Sequence, residues 1–487
     1  MNHTHIAHAA LSGALAIFLV LLGACDDATS GGAGTGTGNI LGPGGSTNTS
    51  GGGTGGDTTG GALEGEPGSV TLDAVQLYQM VNIQLKGVDA QGNVIDGPNR
   101  FPVVEGKDAM VRLFPNFTAT WNGAPLTARV TIGSDTPLEI EVAGALTPAQ
   151  EDLNSTINID VPGSSLVAGA TLRVELVQGG TVLDAWPAEG AFALNTTDTG
   201  PAFNLTLIPF QYNADGSGRT PDTSPERIEA IRQRMLAMYP FADVRIRALD
   251  PVPWNNTISP FGEGWQEIGY RVLNLRAGAA ENEFYYGFFM PTENQAQFCS
   301  RGCLLGVTLL NEPYMADLNL AIGVGFNDDS SVDTMMHELM HAHGIAHAPC
   351  GPGLDPSSID RSYPTDDATI NEWGYDPNAH ELVSPSTRDV MSYCYPQWMS
   401  SYNATKIIDR AQLYKGSSKP TVARDYEVVL VDGDGAFTLT GEVRALRAPP
   451  TVTTTTLTDP VTETALSGHF YRFTHLPGGM LFVPAAP

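Results

Sequence analysis

Five residues within one short segment have the types and the spacing of a metal site. The segment fits the pattern H-E-x-x-H-x-x-G-x-x-H, whose fixed positions are His337, Glu338, His341, Gly344 and His347. On a helix with 3.6 residues per turn, the first two histidines lie one turn apart on the same face and can bind one metal ion. Glycine adopts a positive φ at no steric cost, so Gly344 can end the helix and turn the chain until His347 becomes a third ligand. Three protein ligands with an open fourth position are typical of a catalytic zinc site and not of a structural one.

The acidic residue of the pattern is placed for proton transfer. Glu338 lies about 100° around the helix from His337, near enough to contact a zinc-bound water without binding the metal. Zinc lowers the pKa of such a water toward about 7, and a carboxylate can then take its proton. A chance match to the whole pattern is rare, which disfavours the alternative of a histidine-rich surface helix. His343 lies on the far side of the same helix and is interpreted as a packing or solvent-exposed histidine, not a ligand.

A second motif follows at residues 389–394, with the sequence DVMSYC. Together with the histidine pattern, its Met-x-Tyr resembles the Met-turn of the metzincin zinc peptidases. In that family a methionine forms an apolar floor under the three histidines, which is the role implied for Met391. A tyrosine two residues later is similar to the astacin and serralysin branches, where it ligates zinc or hydrogen-bonds the reacting oxyanion. The resemblance therefore implies that Tyr393 stabilises the transition state, the alternative being an ordinary core tyrosine. Ala348, directly after the third histidine, matches none of the usual branch markers, so the branch is not identified.

The resemblance also implies a fold for residues 203–415. It predicts an α+β catalytic domain in which a mixed sheet lies beside the zinc-binding helix. In this family one edge strand of the sheet pairs with substrate backbone, and residues 284–290 or 303–310 could be that edge.

Local signals predict where two helices begin. Ser224 followed by Pro225 is typical of a helix start. Ser330 or Ser331 is expected to cap the zinc-binding helix. Trp398, shortly after the Met-turn, either lines a specificity pocket or packs in the core, and packing is favoured.

The cysteines predict disulfides. Besides Cys25, the chain has Cys299, Cys303, Cys350 and Cys394. An even number in an exported chain suggests two disulfides, and four cysteines allow three connectivities. The Met-turn of the resemblance would bring Cys350 close to Cys394 and favours this pair, which leaves Cys299 with Cys303. The absence of C-x-x-C pairs disfavours a four-cysteine metal site.

The first residues have the pattern of an export signal. An apolar run over residues 6–24 ends in Leu-Gly-Ala-Cys, which resembles a bacterial lipobox. We therefore expect a lipoprotein signal peptide over residues 1–25, lipidation of Cys25, and a location in the bacterial cell envelope, at the outer membrane or the cell surface. No Lys or Arg precedes the run, which departs from the usual pattern, and an uncleaved membrane anchor is the alternative. Residues 26–68 are rich in Gly, Ser and Thr and are predicted to be a flexible tether.

The rest of the chain is predicted to form β modules. Residues 69–200 contain short alternating strands between turn residues, as in an immunoglobulin-like β-sandwich. Residues 417–487 are expected to form a small C-terminal β module. Its run at residues 432–435 (DGDG) could bind calcium but lacks the EF-hand pattern, so a hairpin turn is favoured. The net charge of −28 argues against nucleic acid as a partner.

These patterns together predict a zinc-dependent metalloendopeptidase that holds one catalytic zinc ion and hydrolyses peptide bonds of extracellular or cell-surface proteins. The expected partners are a protein or peptide substrate and, through the lipid on Cys25, a membrane. Two alternatives stay open: a protease restricted to glycoproteins, and a surface binding or adhesion lipoprotein with a structural or vestigial zinc site. The intact Glu338 favours an enzyme, because a structural site needs no general base.

Overall fold

A computed structural model describes residues 69–88, 94–96, 101–200, 202–280, 282–309, 318–416, 423–447 and 454–485. The predicted signal peptide with Cys25 and the predicted tether over residues 26–68 lie outside the described residues. Within these ranges the fold is mixed α+β, rich in strands and with few helices. Strands and helices are numbered below in chain order.

The N-terminal part consists of two antiparallel sheets and a short parallel pair. The first sheet has the order β3-β2-β1-β5-β8. Its strands are β1 (Val70–Tyr78), β2 (Asn82–Val88), β3 (Val94–Asp96), β5 (Ala109–Phe117) and β8 (Ile157–Val161). The second has the order β10-β9-β6-β7, with β11 also paired to β9. Its strands are β6 (Leu126–Ile132), β7 (Leu138–Val142), β9 (Thr171–Gln178), β10 (Thr181–Trp186) and β11 (Phe192–Ala193). The parallel pair is β4 (Val103–Val104) with β12 (Thr196–Thr197).

The central part is built on a mixed sheet with the order β14-β13-β16-β18-β17, and β15 extends the pairing of β13. Its strands are β13 (Phe203–Tyr212), β14 (Val244–Ala248), β15 (Val252–Trp254), β16 (Glu283–Phe289), β17 (Gly306–Thr308) and β18 (Leu320–Val324). All neighbours are parallel except β17, which runs antiparallel to β18 at the edge. Of the two segments predicted as the edge, β16 is therefore interior and β17 is the edge strand.

Five helices and two small strand pairs accompany this sheet in the described part of the chain. The helices are α1 (Pro225–Met238), α2 (Trp265–Arg276), α3 (Gln295–Phe298), α4 (Asp329–Ala342) and α5 (Ser401–Gly416). The pairs are β19 (Gly374–Asp376) with β20 (Glu381–Val383), and β21 (Arg388–Asp389) with β22 (Gln397–Trp398). The predicted start of α1 is confirmed, since the Ser224 side chain accepts a hydrogen bond from the backbone N–H of Arg227 and Pro225 is the first helical residue.

The C-terminal strands form an antiparallel sheet with the order β24-β23-β27-β26-β25. They are β23 (Ala423–Val431), β24 (Phe437–Arg447), β25 (Thr455–Thr458), β26 (Ala465–Arg472) and β27 (Gly479–Pro484). The predicted hairpin turn lies between β23 and β24. There the Asp432 carboxylate accepts hydrogen bonds from the backbone N–H groups of Asp434 and Ala436.

Alternate residues of the central sheet enter two different cores. On one face, Leu207 and Tyr286 pack with α1, α4 and α5 in a core that also includes both N-terminal sheets. On the other face, Phe210 and Ile322 pack with α2 and with apolar residues of the C-terminal strands. Because both faces of the sheet are covered, the sequences of the parallel strands are nearly continuous runs of apolar residues. No helix in the described ranges is long and apolar enough to cross a membrane.

Candidate metal centre

Helix α4 carries the first two histidines of the motif, and an acidic residue fixes its start. The Asp328 carboxylate accepts the backbone N–H of Ser331 at 2.9 Å, so Asp328 is the N-cap. The prediction of Ser330 or Ser331 as the cap was wrong. The Ser331 hydroxyl instead donates to the same carboxylate at 2.8 Å, and the Ser330 hydroxyl donates to the Gln295 side-chain carbonyl at 2.6 Å. A negative charge at this position also interacts favourably with the partial positive charge at the N-terminus of the helix.

Helix α4 ends at the turn formed by Gly344, as the sequence pattern predicted. Gly344 has a φ of +82°, and its N–H donates to the His341 carbonyl at 2.8 Å. The N–H of Ile345 donates to the Met340 carbonyl at 3.2 Å, which completes a Schellman turn. The reversed chain then brings His347 beside the helix, where the next residue, Ala348, donates its N–H to the Met391 carbonyl at 2.9 Å.

The three motif histidines converge with a fourth. One nitrogen from each of His337, His341, His347 and His475 lies within 4.8 Å of the others. The first three are at most 8% exposed. His475, which comes from the loop between β26 and β27, was not predicted from the sequence. No spacing signal marks it, because its position depends on how the C-terminal sheet packs against the central one.

Hydrogen bonds define which nitrogen of each motif histidine faces the cluster. The Nδ1 atoms of His337 and His341 lie 2.8 and 2.7 Å from the carbonyl oxygens of Val390 and Ile345. A carbonyl only accepts, so each Nδ1 carries the proton and donates. His347 Nδ1 lies 3.0 Å from the Ser358 hydroxyl, whose own proton goes to the Asp355 carbonyl. The proton is therefore on Nδ1 of this ring as well.

The Nε2 atoms are then unprotonated, and their lone pairs are arranged so that they can bind a cation. The Nε2 atoms of His341 and His347 are 3.1 Å apart, yet neither can donate to the other. His337 Nε2 is buried with no hydrogen-bond partner. Lone pairs that face each other in a buried site repel unless a cation lies between them. His337, His341 and His347 therefore have the donor atoms and the orienting hydrogen bonds that zinc requires.

Burial keeps these rings neutral. It lowers the pKa of His337 and of His341, and it lowers the pKa of His347 to about 2. Neutral imidazole is the form that binds metal.

Glu338 is next to the histidines and is 2% exposed. Its Oε1 lies 3.3 Å from His475 Nε2, and its Oε2 is buried without a hydrogen-bond partner. The carboxylate packs directly on the edge strand, since a Cβ added to Gly306 would lie 2.6 Å from Oε1. A buried carboxylate with an unpartnered oxygen can accept a proton from a reactant.

A buried acidic residue holds the turn that contains Met391. The Asp389 carboxylate accepts the Met391 N–H at 2.7 Å and the Asn403 side-chain N–H at 2.9 Å, and it also accepts the Ser400 hydroxyl. Met391 is fully buried, and the preceding carbonyl, that of Val390, orients His337. The turn is thus tied both to α5 and to the histidine cluster.

Tyr393 lies at the cluster, with its ring centroid 5.2 Å from that of His347. Its hydroxyl is 2.9 Å from His475 Nδ1. Burial, helped by the charge of Glu338, raises the pKa of Tyr393, so the hydroxyl keeps its proton.

The remaining residues named from the sequence lie elsewhere. His343 is buried with no hydrogen-bond partner for either ring nitrogen and packs on Phe284 at 4.4 Å between ring centroids. Trp398 is 2% exposed and donates its indole N–H to the Met80 carbonyl, so it packs against the N-terminal part. Disulfides join Cys350 to Cys394, next to the cluster, and Cys299 to Cys303.

Buried imidazoles beside an acidic residue define a hydrolytic metal centre by their chemistry. Residues 319–427, which include α4 and the turn of Met391, match the model of the family Peptidase M66, a family of zinc metallopeptidases. This match indicates that the chain is a metallopeptidase, a hydrolase, as the sequence predicted. It covers less than a quarter of the chain, and His475 lies outside it. The chain has no match among curated proteins.

Proposed function

We propose that the chain is a zinc-dependent metalloendopeptidase with a metzincin-like catalytic domain, acting on extracellular or cell-surface proteins. The observation that carries this proposal is the convergence of three bare Nε2 atoms beside the Glu338 carboxylate. The mixed sheet with an antiparallel edge strand, the Schellman turn at Gly344 and the buried turn of Met391 support the metzincin-like assignment.

In this proposal His337, His341 and His347 hold the zinc ion. When bound, zinc acidifies a water molecule and polarises the carbonyl of the scissile bond. Glu338 accepts a proton from the attacking water and passes it to the leaving amine nitrogen as the C–N bond breaks. The Tyr393 hydroxyl donates a hydrogen bond to the oxyanion that develops on the substrate, a contact made mainly in the transition state.

The location of the enzyme is also a proposal. The lipobox-like end of the apolar N-terminal run supports lipidation of Cys25, and the composition of residues 26–68 supports a tether between a membrane and the catalytic domain. Such a tether would let the enzyme reach proteins at the cell surface.

Cleavage of quenched peptides by the full chain, with and without a chelator, tests the function. Glu338→Gln should keep zinc but lose about 10²- to 10⁴-fold in turnover, the usual contribution of a general base. His347→Ala should lose zinc itself. His343→Leu is the matched control on the same segment and should keep zinc, because His343 faces the aromatic core. Cleavage that continues at full rate in Glu338→Gln would refute the mechanism, and a panel of bare and glycosylated peptides would show whether the substrates are restricted.

A further inference from the structure

Residues 473–478 form the loop between β26 and β27, which we call the closing loop. It leaves the C-terminal sheet and pairs with the edge of the central sheet. Phe473 forms an antiparallel bridge with Leu309. The N–H of Thr474 donates to the Thr308 carbonyl at 2.9 Å, and the N–H of Thr308 donates to the Thr474 hydroxyl at 3.0 Å. The outward backbone groups of Thr308, at one end of the edge strand β17, are thus already paired.

The same edge is where a peptide would be expected to bind next to the catalytic residues. An extended peptide adds to an exposed sheet edge through its main-chain hydrogen bonds. Strand β17 runs directly past the general base, since a Cβ on Gly306 would lie 2.3 Å from Glu338 Cγ. A peptide paired with β17 would therefore place its backbone beside Glu338. The closing loop occupies the Thr308 end of this edge and places the His475 side chain beside Glu338.

His475 lies at the centre of this loop and reaches both catalytic side chains. Its Nε2 is 3.3 Å from Glu338 Oε1. Its Nδ1 is 2.9 Å from the Tyr393 hydroxyl. Zinc binding by this ring requires the tautomer in which Nδ1–H donates to the tyrosine hydroxyl, because this leaves the Nε2 lone pair for the metal. The His475 side chain is 12% exposed, so it is a component of the site and not a surface group.

Apolar contacts hold the closing loop in place. Phe473 is 5% exposed and belongs to the core that joins α2 to the C-terminal strands. Leu476 packs directly on the backbone before α2, since a Cβ on Gly262 would lie 2.3 Å from Leu476 Cδ2. The strands on either side, β26 and β27, contribute Tyr471 and Met480 to the same core. The loop is therefore anchored through Phe473 and Leu476, and the strands on either side are anchored in the same core.

We propose that the closing loop shuts the active site of the resting chain: its backbone takes the place of substrate along β17, and His475 supplies a fourth nitrogen ligand to the zinc in place of water. This inference rests on the function proposed above. Peptide cleavage then requires local release of the loop.

The test compares three variants of the full chain with the wild type. His475→Ala removes the fourth ligand, and Leu476→Asp weakens docking of the loop while leaving His475 in the chain. His469→Ala is the matched control, a histidine on β26 that is not in the cluster. The readouts are transfer of bound zinc to a competing chelator, hydrogen exchange of the Thr308 and Thr474 amides, and kcat/KM on a quenched peptide.

We expect His475→Ala to weaken zinc binding by at least about 10-fold, since even residues that only orient ligands cost about 10- to 100-fold. Both His475→Ala and Leu476→Asp should raise kcat/KM by at least about 10-fold, because a site that is seldom open gains activity in proportion to its open fraction. Exchange at Thr308 should become faster in Leu476→Asp. His469→Ala should match the wild type in all three measurements.

Two results would overturn the proposal. Zinc binding of wild-type strength in His475→Ala would show that His475 is not a ligand. A lower kcat/KM in a His475→Ala protein that still holds zinc would show instead that His475 assists catalysis. If zinc binding weakens as expected but no variant cleaves any peptide, the four-histidine site stands and the proposed function fails.

Discussion

Gly306 offers a direct test of how precisely Glu338, the proposed general base, must be placed. An added Cβ would lie 2.3 Å from Glu338 Cγ and 2.6 Å from Oε1. Carbon atoms in contact prefer about 3.5–4.0 Å. In Gly306→Ala the carboxylate must therefore move by about 1 Å or more, since β17 is held by β18 on one side and by Thr474 on the other.

A displacement of 1 Å at a reacting group can cost about 100-fold in rate. This corresponds to about 2.7 kcal/mol in the activation free energy. We expect kcat of Gly306→Ala to fall by about two orders of magnitude while zinc content stays at the wild-type level, because the substitution touches no histidine.

The assay is steady-state cleavage of a quenched peptide by zinc-loaded protein, with zinc content and circular dichroism measured on the same sample. Gly269→Ala on α2 is the control, since the nearest atom to its added Cβ is the flexible end of Met480 at 3.3 Å and the next ones are at ordinary contact distance. A Gly306→Ala protein that is folded, zinc-loaded and fully active would refute the placement of Glu338 as the general base.

Two further predictions concern stability. Replacing Cys350 and Cys394 by serine opens a loop with a sequence separation of 44 and should lower the free energy of unfolding by about 4 kcal/mol. The same replacement of Cys299 and Cys303, with a separation of 4, should lower it by about 2 kcal/mol. Denaturant titration of both double variants checks this, and equal losses would contradict it. Burial raises the pKa of Glu372 to about 7 from an ordinary value of 4.5, so the folded state holds this proton more tightly. The stability that the protonated carboxyl provides is fully present below about pH 4.5 and is lost as the pH rises through 7, at most about 3 kcal/mol. Glu372→Gln, which keeps an oxygen for the Ser401 N–H, should flatten this part of the stability profile, and an unchanged profile would assign the pH dependence to other groups.

The sequence alone was enough to predict the local geometry of the site. The spacing of His337 and His341 acts through the helical repeat, and Gly344 acts through its own backbone freedom; neither depends on the rest of the chain. The same holds for the start of α1 at Ser224. One local feature was missed although its signal is present: Ala404, Ile407, Ile408 and Ala411 have the apolar spacing of a buried helix face, and the structure forms α5 there.

The start of the zinc-binding helix shows where a local signal can mislead. Asp328, Ser330 and Ser331 are all residues that cap helices well, and sequence rank does not choose among them. In the structure the Asp328 carboxylate accepts both the hydroxyl and the backbone N–H of Ser331. An ionised carboxylate accepts hydrogen bonds and also carries a negative charge, which is stabilising at the N-terminus of a helix, whereas a hydroxyl is neutral.

The local sequence determined how the three motif histidines, Glu338 and the turn at Gly344 are placed relative to one another, because each of these depends on neighbours within a few residues. Only the tertiary structure decided that β17 is the edge strand, that Trp398 packs against the N-terminal part, and that His475 joins the cluster. These three outcomes come from packing between segments far apart in the chain, and no periodicity records such a contact. The three motif histidines can thus be predicted from local sequence, whereas the position of His475 opposite them depends on the whole fold.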